Sequence, residues 1–201
     1  MATIVVVRPG ADATEIALSS WAALVIAGVS GGSGVVVTDL QGPAATRNAV
    51  DSRLQSSDVT LYFGHGLDDR LGDPIALVDS VNISRASNKV VFGIACKAAV
   101  ALGGRAEVAG VRAFLGFDDE LVVYLPTPSL FGRVVESALI PFILSNASVD
   151  DVRDTLVSGF KQMEKTYRGP LRNSLDAEVI WLAAHINWRG VSCAGDTTAT
   201  I

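Results

Sequence analysis

Apolar positions fall along this chain in short unbroken runs, separated by stretches with helical spacing. TIVVV (3–7) is a continuous, β-branched run ended by Pro9-Gly10, the pattern of a strand buried on both faces. Residues 13–28 then predict a helix, GVVVT (34–38) a second strand, and AATRNAVDSRLQ (44–55) a second helix. DVTLYFG (58–64) predicts the third strand. A longer connection containing Asp73-Pro74 and Asn82 leads to the fourth, KVVFGIA (89–95). AAVALGG predicts a helix closed by Gly103-Gly104, and VRAFLGF (111–117) a fifth strand.

The second half reads mostly as helix. Segments 129–145 and 148–166 carry the pattern, the latter with Ser148 as N-cap and Asp150 and Asp151 in its first turn. LDAEVIWLAAHINW (175–188) predicts another helix and VSCAG (191–195) a short sixth strand, with a frayed tail beyond about residue 195. No internal repeat or low-complexity linker divides residues 1–201, so a single domain is expected. Strands that alternate with helices predict an α/β fold: a mostly parallel sheet of about six strands, covered on both faces. In such sheets the functional crevice lies at the carboxyl ends of the strands.

Composition narrows the function. Apolar residues make up 49% and charged residues 18% of the 201, which suits a fully covered sheet. A net charge of −5 without any Lys/Arg cluster argues against nucleic acid as a partner. Two distant cysteines make no disulfide framework, and no basic leader with a short apolar core opens the chain, so the expected location is the cytoplasm. Ile16–Thr38 holds no charge and is long enough to span a bilayer. SGGSG (30–34) interrupts it, between a helical piece and a β-branched one, so no membrane span is expected.

Two rare residues end two look-alike runs. His65 follows the third strand and Cys96 the fourth. Neighbouring strand ends lie about 4.8 Å apart, close enough for both side chains to face one substrate. A cysteine attacks as the thiolate and needs a base or a lowered pKa. Cys96 is expected at the start of the following helix, where unpaired N–H groups favour negative charge, and Lys97 would add to that field. His65 would carry the proton, and the Gly66 and Cys96 backbone N–H groups would hold an oxyanion. Taken singly, such a cysteine is more often a packed small hydrophobe and such a histidine a turn residue. Their matched, glycine-flanked placement favours chemistry.

LYFGHG (61–66) and FGIACKA (92–98) resemble the caspase-like cysteine peptidases, the clan of caspases, metacaspases, gingipains, separase and the CHAT domains. VRAFLGFDDE (111–120) is similar to the CHAT and separase segment in which an apolar strand ends in an aspartate-bearing loop, so the resemblance is closest to those bacterial domains. It implies a caspase-like αβα sandwich with strand order 2-1-3-4-5-6, His65 as general base or acid, and Cys96 as nucleophile. In relatives that cut after basic residues, a carboxylate in this loop grips the arginine or lysine; Asp119 matches it best, with Asp118 next. The implied function is a cysteine endopeptidase cutting a protein after Arg or Lys, an effector of bacterial immunity or programmed cell death whose substrate is in some relatives a pore-forming protein.

The sequence has Ile94-Ala95-Cys96-Lys97 rather than the Gln-Ala-Cys-Arg-Gly of animal caspases, and no processed linker. Activation would then need a partner, an oligomer or a ligand. Two other classes compete: a caspase-fold interaction module without catalysis, and a flavodoxin-like nucleotide-binding domain. SGGSG is a poor phosphate loop because it precedes a strand, and VRPGADATE has one glycine and no Lys-Ser or Lys-Thr pair. His65, Cys96, His185 and Cys193 could make a zinc site only without the usual close ligand pair, so no metal and no cofactor is expected. His185 is expected to be a satisfied core histidine and Cys193 a buried small residue.

Overall fold

The computed structural model describes residues 1–32 and 34–201; Ser33, within the predicted Ser30–Gly34 turn, lies outside the described residues. β1 (Ala2–Arg8) leads through α1 (Ala13–Val29), β2 (Val35–Gln41) and α2 (Arg47–Ser56) to β3 (Val59–Phe63). A small antiparallel ribbon follows, made of β4 (Gly66–Leu67), β5 (Arg70–Leu71) and β6 (Val78–Asp79). β7 (Val90–Ile94), α3 (Gly104–Val108) and β8 (Ala113–Phe117) complete the alternating part. Three long helices, α4 (Pro128–Ser145), α5 (Val149–Arg168) and α6 (Ala177–Gly190), precede β9 (Val191–Gly195).

The central sheet has six strands in the order β2-β1-β3-β7-β8-β9, the order that the resemblance implies. All neighbours are parallel except β8 and β9. Period-two alternation explains why the inner strands read as unbroken apolar runs. Ile4, Val6, Leu61, Phe63, Phe92 and Ile94 face one core, with α1, α4 and α5. Val5, Val7, Tyr62 and Val91 face the other, with α2 and the turn after β7. Trp21 is fully buried and its indole N–H donates to Pro128 O at 2.6 Å, which ties α1 to α4. α4 is long and apolar enough to cross a membrane, but Phe131, Val135, Leu139 and Phe142 bury its inner face.

Four expectations need correction. The helix predicted over AAVALGG is present but is not closed by Gly103-Gly104: a π-helical turn (Ala99–Gly103) runs straight on into α3. Cys96 itself is not at its start, because Lys97 sits at φ +52°, which a right-handed helix does not admit, and the helix begins only at Ala99. The tail is docked rather than frayed. Val149 N donates to Ala199 O at 3.0 Å, Asp150 N to Thr197 O at 2.8 Å, and Ala199 is fully buried. His185 is half-buried rather than in the core, bonded through Nδ1 to Glu164 at 3.2 Å. Cys193 is likewise half-buried on an edge strand.

Candidate active site

β3 and β7 are direct neighbours, with Phe63 opposite Ile94. His65 and Cys96 therefore each stand two residues past that pair, at the carboxyl edge. The two segments touch closely. A Cβ on Gly66 would lie 2.5 Å from the Cys96 carbonyl oxygen and 2.8 Å from Ala95 Cβ, so only glycine fits there. Gly64 is similarly confined, by the Tyr62 hydroxyl at 2.5 Å and Glu15 Oε1 at 3.2 Å.

His65 is held from several sides. Its carbonyl accepts from the Tyr62 hydroxyl and from Gly72 N, both at 2.8 Å. Its N–H donates to Glu15 Oε1 at 3.4 Å, and Glu15 is buried. The ring Nε2 lies 2.6 Å from Asp12 Oδ2, while Asp12 Oδ1 accepts from Glu15 N and caps α1. That backbone bond, followed by the bond to His65, holds the Asp12 carboxyl below its ordinary range. Because Gly72 N bonds to His65 O, Gly66 and Leu71 form a non-hydrogen-bonded pair, and the ribbon ladder leaves the Gly66 N–H unused.

Cys96 lies under the loop after β8. Leu121 N donates to its Sγ at 3.3 Å, and the thiol donates back to Leu121 O at 3.7 Å. Fully buried Asn187 clamps the next residue, accepting from Val122 N at 2.8 Å and donating to Val122 O at 3.0 Å. Burial pushes the Cys96 thiol up to about 11; the Leu121 amide opposes this and the Glu120 carboxylate adds to it. Lys97 does not supply the cation expected beside the sulfur, because its Nζ pairs with Glu120 at 2.9 Å. Cys96 is also not at the helix start expected to favour its thiolate, since the helix begins three residues on, at Ala99.

Asp118 and Asp119 are exposed in the bend that follows β8. The Asp119 carbonyl accepts from Lys97 N at 3.0 Å, so its loop is stitched to the residue after Cys96. Asp118 N bonds to Gly190 O at 2.8 Å. His65, Gly66, Cys96 and the Asp118–Asp119 bend thus share one edge of the sheet.

No family model matches this sequence, and no curated protein does so either. Solved structures do. The Arg-specific cysteine proteinase gingipain R matches over 100% of this chain and 47% of its own, at TM-score 0.56 and 12% identity. The complex of the pro- and mature domains of RgpB from Porphyromonas gingivalis matches over 100% and 48%, at TM-score 0.53 and 12% identity. A structure titled only as a protease matches over 98% and 48%, at TM-score 0.62 and 14% identity. The fold is caspase-like. This chain spans about half the length of the proteins it matches.

Within this caspase-like fold, sequence reasoning missed Asp12, Glu15, Glu120 and Leu121. Asp12-x-x-Glu15 has the spacing of a helix cap, so Asp12 was readable as an N-cap. Its second oxygen reaches a histidine 53 positions away, and no local pattern carries that contact.

Proposed function

We propose that the chain is a cysteine endopeptidase that cuts a protein after a basic residue, with Cys96 as nucleophile and His65 as proton carrier. The observation that carries this reading is the matched placement of the two residues past Phe63 and Ile94, with a glycine-sized gap between Gly66 and the Cys96 carbonyl. With the thiol near 11, almost no thiolate exists at neutral pH, so the proton must leave as the sulfur attacks. It passes to His65, the S–C bond forms, and the carbonyl electrons move onto the oxygen, where the Gly66 and Cys96 N–H groups stabilise them. Collapse breaks the C–N bond, and His65 returns the proton to the leaving amine. Water, deprotonated by His65, then cleaves the thioester, releasing the acid and restoring the thiol.

Asp12 is a positioning residue in this scheme. Its bond to Nε2 fixes the imidazole and leaves Nδ1 for proton transfer. Asp119, with Asp118 beside it, supplies the carboxylate for the substrate's guanidinium or ammonium, a charge-assisted contact that is bidentate for arginine. The Leu121 bonds to Sγ favour a resting form that substrate or an activating partner must open. The wider role we assign is that of a cytoplasmic effector peptidase in bacterial defence or cell death, with a protein substrate such as a pore-forming partner.

A fluorogenic peptide panel ending in Arg, Lys or Asp tests the reading. The parent is expected to turn over Arg and Lys peptides and Cys96→Ala to turn over none. Preference for Asp would reject the Asp119 assignment, and full activity in Cys96→Ala would reject the nucleophile.

A further inference from the structure

A cavity of about 510 Å³ opens between the segments that leave β1 and β2 and the ribbon. Its walls are mainly apolar, from Pro9, Ala11, Pro43, Ala45, Ile75 and Leu77. Two of the three charged groups in the wall are occupied, and the third, Asp73, is exposed at the rim. Glu15 accepts from Ala11 N at 2.6 Å and from His65 N, and Arg47 pairs with Asp79 at 2.8 Å and Asp51 at 3.2 Å. The wall is also bonded to the site: Glu15 and Gly72 line the cavity and bind the two backbone groups of His65, and Ala11 directly precedes Asp12.

We propose that this cavity is the subsite for the substrate residue that follows the cut bond, and that it takes a bulky apolar side chain. The inference rests on the peptidase reading above. Along the carboxyl edge the order is Asp119 after β8, Cys96 after β7, His65 after β3, and the cavity after β1 and β2. The acyl half of the substrate is held by Cys96, with its basic side chain on the β8 side. The leaving amine must lie at His65 to take its proton, so the segment it heads continues on the β1 side. There the first available surface is this cavity. Its size lies within the ~300–1,000 Å³ of ordinary small-ligand sites, enough for a phenylalanine or leucine side chain. Transfer of such a side chain from water favours it over alanine by about tenfold or more.

The test uses labelled peptides with Arg before the bond and Phe, Leu, Ala or Asp after it, titrated by fluorescence anisotropy against Cys96→Ala protein. Phe and Leu peptides are expected to bind about tenfold or more tightly than Ala or Asp peptides. Asn48→Trp, from an exposed position on the cavity lip, should erase that difference and leave the Ala peptide unchanged. Ile75→Asp, on a rim residue 68% exposed, should do the same with little risk to folding. Equal affinity for all four peptides, or a Phe preference that survives both variants, overturns the subsite. Turnover by the parent reads the peptidase separately. Cleavage without Phe preference sinks the subsite alone, whereas Phe-selective binding erased by Asn48→Trp but never followed by cleavage keeps the pocket and rejects the peptidase.

Discussion

Cys96 and Cys193 are the same group under the same pressure: burial pushes each thiol up to about 11. Their surroundings differ in kind. Cys193 lies within β9, opposite Leu115 of β8, packed against the core and flanked by the charges of Arg153, Asp150 and Asp154 on α5. Cys96 lies past the end of β7, in a turn, with the His65–Gly66 segment against its backbone and the Leu121 amide on its sulfur. Thiol acidity therefore does not distinguish the two. Position does: one thiol lies within an edge strand paired only to β8, the other past the end of β7, whose neighbour β3 leads to His65.

The largest break in that contrast is expected from Gly66→Ala. The new Cβ collides with backbone, so the two strand ends must part, which is expected to cost about 1–3 kcal/mol of stability. If the Gly66 N–H holds the oxyanion as proposed, displacing it should also lower activity by about 10²–10³-fold. Chemical denaturation and peptide turnover read the two effects, and alkylation of Cys193 should stay unchanged.

Asp12→Asn comes next. The amide still caps α1, so the melting temperature should hold, but the ring loses its charged partner and its preferred tautomer. A fall in kcat of about 10²–10⁴-fold at nearly constant KM is expected. Asp12→Ala should add a stability loss of about 1 kcal/mol from the missing cap. Equal activity in Asp12→Asn would remove Asp12 from the account.

These two predictions also show what could be read from the sequence. The strands and the two strand ends were legible because buried parallel strands are unbroken apolar runs, and LYFGHG and FGIACKA end two of them; the strand order came only from the resemblance. The ribbon was not: β4, β5 and β6 hold two residues each, too few for any period to show. AAVALGG was legible as helix, but the positive φ at Lys97 that keeps Cys96 out of it was not, because a lysine gives no sign of that conformation. Glu120 and Leu121 reach Cys96 from 24 and 25 positions away, so neither was visible beside it. The docked tail depends on α5 in the same way, through bonds that span 47 to 50 positions.

Smaller effects sharpen the comparison. A pKa raised from 9.0 to about 11 means that thiolate, the reactive form, becomes scarcer in the folded state. Iodoacetamide alkylation of Cys96 without substrate should rise about tenfold per pH unit from 7 to near 11. At pH 8 it should run about 100-fold slower than for the unfolded chain, and Cys193 should follow the same curve. A plateau below pH 9 would contradict this. Glu120→Gln removes an anion beside Cys96 only and frees Lys97, so it should speed Cys96 alkylation several-fold and leave Cys193 where it was.

The central claim is that Cys96, and not its equally buried counterpart, is paired with a proton carrier beside a site for a basic side chain. A peptidyl-arginine chloromethyl ketone tests it in one step, with the modified residue mapped by mass spectrometry. The account predicts a single adduct at Cys96, slowed at least tenfold by His65→Ala and absent with the aspartyl analogue. Labelling of Cys193 at a comparable rate, or of Cys96 at a rate unaffected by His65→Ala, would contradict it.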